Sequence, residues 1–195
     1  MKLSEGFEIS IGMVLSRKKA KKSVSSEYRY KLLTLKSVTE WGEIEKLALE
    51  EFISDSEIES SYLTQMGDVI VRLTEPYSAI YIESDNEELL VPSNFAIIRN
   101  QQGKYSAEFI QCYFNANQGK NIIRRMAAGS ALSAISISNL KEIEIEQYSK
   151  EQQEKFVVVN KLFLQEKKLF ERLIKERDKQ LQGINQEILK VEDIQ

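Results

Sequence analysis

Between Ser16 and Ser26 the chain places Arg17, Lys18, Lys19, Lys21 and Lys22, five positive charges in six residues, with Ser16, Ser23, Ser25 and Ser26 around them. Lys and Arg neutralise phosphate oxygens, while hydroxyls and backbone N–H groups position a strand, so this composition suits a polyanion. A second cluster, Lys120, Arg124 and Arg125, falls at i, i+4, i+5 on a predicted helix and leads into Gly129-Ser130. A third candidate is Arg72-Leu73-Thr74-Glu75-Pro76-Tyr77, where a predicted strand runs out into a loop. Arg72, Thr74 and Tyr77 there are donors and acceptors able to reach base edges. Ser130 is a weaker candidate for either role. The net charge is only −3, and the stretch from Glu40 to Glu59 holds eight carboxylates against Lys46. Such segregation orients a domain on a polyanion despite its overall charge.

Catalytic chemistry finds little to work with. No His is present among the 195 residues. That removes His-dependent metal sites, the Ser-His and Cys-His pairs and the commonest general base. No CxxC, P-loop, GxGxxG or GxSxG occurs. The carboxylate pairs Glu50-Glu51, Asp55-Glu57-Glu59 and Glu87-Glu88 read as solvated faces, and Asp68 after Gly67 as a turn leading into a strand. Cys112, the single cysteine, reads as a core thiol and excludes an intramolecular disulfide framework. No cofactor or metal is expected. With no apolar leader after Met1 and no run of membrane-spanning length, the expectation is a soluble, cytoplasmic protein.

The elements that must hold these residues fall into two parts, 1–148 and 149–195. In the first, strands are predicted at Tyr30–Leu35, Val69–Leu73, Ala79–Ile82 and Phe95–Arg99. A turn is predicted at Glu40-Trp41-Gly42-Glu43, and helices over 106–117 and 119–126. Gly129–Ser138 reads as a loop, and Leu140, Ile143 and Ile145 as a closing strand. Strands and helices without regular alternation indicate an α+β domain with a mixed, curved sheet.

The second part has no Pro and a single Gly, Gly183. Steps of seven from Phe156 reach Phe163, Phe170, Arg177, Ile184 and Val191. The column four residues on holds Asn160, Lys167, Ile174, Leu181 and Ile188, with Val159 and Leu173 in the gaps. A period-seven apolar column is the seam of a coiled coil. A single rod of about 60 Å (at about 1.5 Å per residue) needs a second helix to bury that seam. Dimerisation through Phe156, Phe163, Phe170, Leu173, Ile174, Leu181, Ile184 and Ile188 is therefore expected, the alternative being a C-terminal helix folded back on its own domain. Ser149 with Gln152 three residues on has the form of a capping box for the start of the helix.

The run Gly67-Asp68-Val69-Ile70-Val71-Arg72, then Val91-Pro92-Ser93-Asn94-Phe95-Ala96-Ile97-Ile98-Arg99, then Phe109-Ile110 with Tyr113-Phe114-Asn115, resembles the target recognition domain of type I restriction-modification specificity subunits. The stretch from Gly129-Ser130 through Ile135 to Ile145, followed by Glu151-Gln152-Gln153 and a long helix, extends the resemblance from about Gly6 to Leu189. The resemblance implies a noncatalytic reader of double-stranded DNA joined to a spacer helix. Its partners are methyltransferase (M) subunits and, where one is present, a restriction (R) subunit. The family's full-length chain has two recognition domains and two helices, whereas one of each is encoded here. The proline common before the Glu-Gln helix start is replaced by Gln147-Tyr148-Ser149-Lys150. A half-length form implies a homodimer with a two-fold axis reading a bipartite, palindromic site. The alternative is a coiled-coil protein-interaction adaptor without DNA binding.

Overall fold

A computed structural model describes residues 1–20, 28–101, 104–128 and 133–191, and divides the chain into two units, Met1–Phe156 and Val157–Gln195. In the first unit, strands β1 (Phe7–Ile11), β2 (Tyr28–Leu32), β3 (Glu50–Ser54), β4 (Val69–Arg72), β5 (Ala79–Tyr81) and β6 (Phe95–Asn100) precede helices α1 (Ala107–Asn115), α2 (Asn117–Ala127) and α3 (Ile137–Lys141). The α+β class is observed. The strands form two sheets rather than one mixed sheet, ordered β1-β6-β4-β5 and β2-β3, and every ladder between them is antiparallel.

The apolar runs Val69-Ile70-Val71 and Phe95-Ala96-Ile97-Ile98 lack polar alternation because both faces of β4 and β6 are covered, and each of these residues is at most 1% exposed. On one face lies a cluster of Leu33, Val38, Ile80, Ile82, Leu89 and Val91. Helix α1 packs on β4 and β5, burying Phe109, Ile110, Tyr113 and Phe114. Its Asn115 pairs with the β5 edge through its amide, accepting from Ala79 N (2.9 Å) and donating to Ala79 O (2.7 Å). A smaller core of Met13, Leu32, Phe52, Ile58 and Leu90 supports β2 and β3. Gly67, at φ +86°, makes the turn into β4. A Cβ on Gly119 would strike the Tyr113 carbonyl, so a glycine is needed where α2 folds back on α1.

Three local readings are corrected. Strand β2 ends at Leu32 rather than Leu35, because Ser37 and Thr34 capture each other's backbone: Thr34 N–H donates to Ser37 Oγ and Ser37 N–H to Thr34 Oγ1. The predicted closing strand begins as helix α3, capped by Ser136 Oγ accepting from Asn139 N. Only an isolated antiparallel bridge, Lys2 with Glu144, survives of it. Strands β1 and β3 went unread in the sequence, although Phe7 and Ile9 of β1 show the alternation of a half-buried strand.

Helix α4 (Lys150–Val191) starts as its sequence indicates. Ser149 Oγ accepts from Gln152 N (3.2 Å) and Gln152 Oε1 accepts from Ser149 N (2.8 Å), a complete capping box. Gln153 is buried, accepting from Ser106 N and donating to the carbonyls of Lys104 and Tyr148. The division between units therefore falls inside the helix, after its first turns. We expect Ser149→Ala to cost about 1 kcal/mol in thermal unfolding, the usual cost of losing an N-cap; an unchanged melting temperature contradicts this.

Candidate nucleic-acid interface

Among the described residues no group of three or more His, Cys, Asp or Glu could hold a metal, and no helix is long and apolar enough to cross a membrane. Cys112 is buried on α1, and the carboxylates at 50, 51, 55, 57, 59, 87 and 88 are exposed. An open groove of about 780 Å³ is lined by Glu57, Glu59, Glu87 and Glu88 against Arg29 and Lys31, the wrong balance for a polyanion.

Residues 18–20 of the first basic cluster pair with β3. Asp55 N–H donates to Lys18 O (2.9 Å), Ala20 N–H donates to Ile53 O (3.1 Å), and Lys19 bridges to Ser54. Lys19 in this pairing is exposed, as is Arg17 at the end of the preceding 3-10 turn, Leu15–Arg17. Lys18 is half-buried, its ammonium donating to Ser56 Oγ at 2.8 Å. Lys21 and Lys22 lie outside the described residues, as does Ser130.

The other two clusters, about 50 residues apart in sequence, are brought together. Arg72 ends β4, half-buried, with Nε donating to Thr74 Oγ1 at 3.3 Å. The connection to β5 is held from two sides: Ile135 N–H donates to Leu73 O (2.9 Å), and Arg124 on α2 pairs with Glu75, Nε to Oε1 at 2.7 Å. Glu75 also holds the Arg124 pKa above its ordinary value, through the hydrogen bond first and charge second. Arg125, next on α2, is exposed, and Lys120 one turn earlier is half-buried. Arg124 and Arg125 border an open groove with Gln118, Asn121, Glu144 and Glu146.

Tyr77 is corrected. It is 1% exposed, and its hydroxyl donates to the Ser133 carbonyl, so it fastens the connection rather than facing a ligand. Burial, and then Glu75, push its pKa up. Glu75 stands in the sequence-read loop, but its pairing with Arg124 is visible only in the structure. The Arg124–Asn121 contact, at i, i+3 on one helix, was the available signal that this arginine is held rather than loose.

On α4, Phe163, Phe170, Leu173, Ile174, Leu181, Ile184 and Ile188 are each 53–67% exposed. Phe156 is corrected: half-buried, its ring stands edge-on to Phe109 at 5.6 Å, beside an aromatic group with Tyr105, Tyr113 and Tyr148, so it packs on the first unit rather than standing in a free seam.

No protein-family model and no curated protein matches the sequence. Solved structures do match the fold. The HsdS subunit from Thermoanaerobacter tengcongensis superposes with a TM-score of 0.65 at 15% identity, over 92% of this chain and 45% of that one. The type I restriction-modification system S subunit from M. genitalium gives 0.53 at 14% identity, over 90% and 41%. A chain from a structure concerned with complex assembly and conformational transition of the type I R-M system gives 0.50 at 14%, over 88% and 44%. The chain thus spans less than half the length of each, and it has their fold.

Proposed function

We propose that this chain is a noncatalytic DNA-recognition module acting as a half-length specificity subunit of a type I restriction-modification system. The observation that carries the reading is the superposition on the HsdS subunit over 92% of this chain and 45% of that chain. The exposed apolar stripe of α4 supports a second copy as its cover, because an isolated helix that presents such a stripe to water is marginal. Antiparallel pairing creates a two-fold axis, so two copies of the 1–148 domain read identical half-sites around an unread spacer set by the 149–195 helices. Methyltransferase subunits, and a restriction subunit where one exists, then act at the selected site in the cytoplasm.

Co-purification with a methyltransferase, followed by selection of a palindromic bipartite site from random duplexes, is the direct test. Salt-independent failure to bind any duplex, with the dimer intact, favours the adaptor alternative.

The roles proposed within the interface combine residue type with exposure where it is described. Exposed Arg17 and Lys19 are assigned to phosphate, together with Lys18, Lys21 and Lys22. Arg72 and Thr74 are assigned to base edges, with Lys120, Arg124 and Arg125 beside them, and Ser130 is kept as a candidate from the sequence alone. Changing Arg17 and Lys19 to Ala together should weaken all duplexes alike and flatten the slope of log affinity against log salt by about 2. A change in the selected sequence instead refutes the phosphate assignment.

A further inference from the structure

Arg124 is held in a way that a phosphate contact does not require. Its Nε and Nη2 donate to the two oxygens of Glu75 (2.7 and 3.4 Å), and Nη1 donates to Asn121 Oδ1 (3.3 Å). A guanidinium carries five N–H groups in one plane, so these bonds leave one N–H on each terminal nitrogen. Arg124 and Glu75 are each about half exposed, 49% and 50%. Glu75 cancels the arginine's charge and repels phosphate, which makes the pair a poor nonspecific anchor. Arg125, exposed beside it, is the better placed of the two for that work.

We propose that Arg124 is a specificity-determining residue that reads the O6 and N7 acceptors of one guanine in the major groove, and that Glu75 is its positioning residue. The chemistry is a match of number and plane: two free N–H groups on one rigid fork meet two acceptors on one base edge, an arrangement a lysine cannot reproduce. Carboxylate buttressing lowers the entropy lost when the fork is ordered on the base. The inference rests on the DNA-binding reading above and assigns one residue within it.

The test selects sites from a randomised duplex pool with the whole 195-residue chain and its Arg124→Lys, Glu75→Ala and Glu75→Gln variants. The wild type is expected to select a half-site with one G·C pair whose preference falls about tenfold to hundredfold in Arg124→Lys, other positions being retained. Glu75→Ala is expected to relax the same pair while tightening binding to random duplex, because a repelling carboxylate is gone. Glu75→Gln, which keeps an acceptor, should restore part of the preference. If Arg124→Lys weakens all sequences equally, or Glu75→Ala leaves the selected site unchanged, the assignment is overturned and the pair is an ordinary surface ion pair. A wild-type chain that selects no sequence overturns the DNA reading as well. A normal wild-type site unaltered by the variants overturns this inference alone. Melting curves accompany each variant, and Arg124→Gln supplies a second replacement at the same position should Lys disturb folding.

Discussion

Replacing Phe170 and Ile174 together by Ser should convert a dimer to single chains in sedimentation at micromolar concentration. Both side chains are more than half exposed in the single copy, 57% and 61%, so their burial is available to a partner. Burying an aromatic or branched aliphatic side chain contributes about 1.5–3 kcal/mol. The two changes occur in both protomers, so four such contributions disappear, each scaled by the part of the side chain left exposed, about 3.5 kcal/mol at the low end, or between about two and three orders of magnitude in Kd. The first unit is untouched, so its unfolding temperature should be retained. Affinity for a bipartite duplex should fall to that of a single half-site, since the second contact is no longer tethered. A wild-type chain that sediments as a monomer, or a variant that remains dimeric, removes the basis for the symmetric target.

The second large effect is on stability. Asp68 is 3% exposed and accepts from Arg99 Nε (3.0 Å) and from Gln65 N (2.9 Å), while Arg99 also donates to Leu63 O (2.7 Å). The pair ties the turn before β4 to β6 and to the Leu63 strap. Asp68→Ala leaves Gln65 N–H without its acceptor and a guanidinium three-quarters buried without its counter-charge, so a loss of about 3 kcal/mol is expected in denaturant unfolding. Burial pushes the Asp68 carboxyl above its ordinary value, against the pull of Arg99 and Gln65. The native state thus holds that proton more tightly than the unfolded chain. This group's contribution to stability therefore rises as pH falls through its native pKa and is complete below the ordinary value of 3.8. The advantage of wild type over Asp68→Asn should accordingly be greater near pH 4 than at pH 7. A difference that shrinks on acidification contradicts the sign.

Much of the scaffold was legible because its signals are short-range. The Gly67-Asp68 turn, the buried runs of β4 and β6, the Ser149/Gln152 cap and the apolar face of α1 are each written within about ten residues. The miss at Leu140–Ile145 has the same origin in reverse. Its apolar spacing fits either period, and Ser136 decides for a helix by accepting from Asn139 N. Strand β3, Glu50–Ser54, was hidden because its charged residues are the exposed ones, which made a strand look like part of an acidic surface.

The residues of the interface divide along the same line. Which residue types exist, and that none of them is a histidine, followed from the sequence alone, as did the period-seven stripe of α4, because periodicity is a property of one helix. Which side chains face outward did not. Tyr77 is spent on Ser133 56 residues away, Arg124 is held by Glu75 at a separation of 49, and Asp68 meets Arg99 at 31. Such pairings depend on how α1, α2 and the sheet fold back on one another. Tertiary packing decided them, and with them which arginine is ion-paired across the fold and which stands exposed beside it.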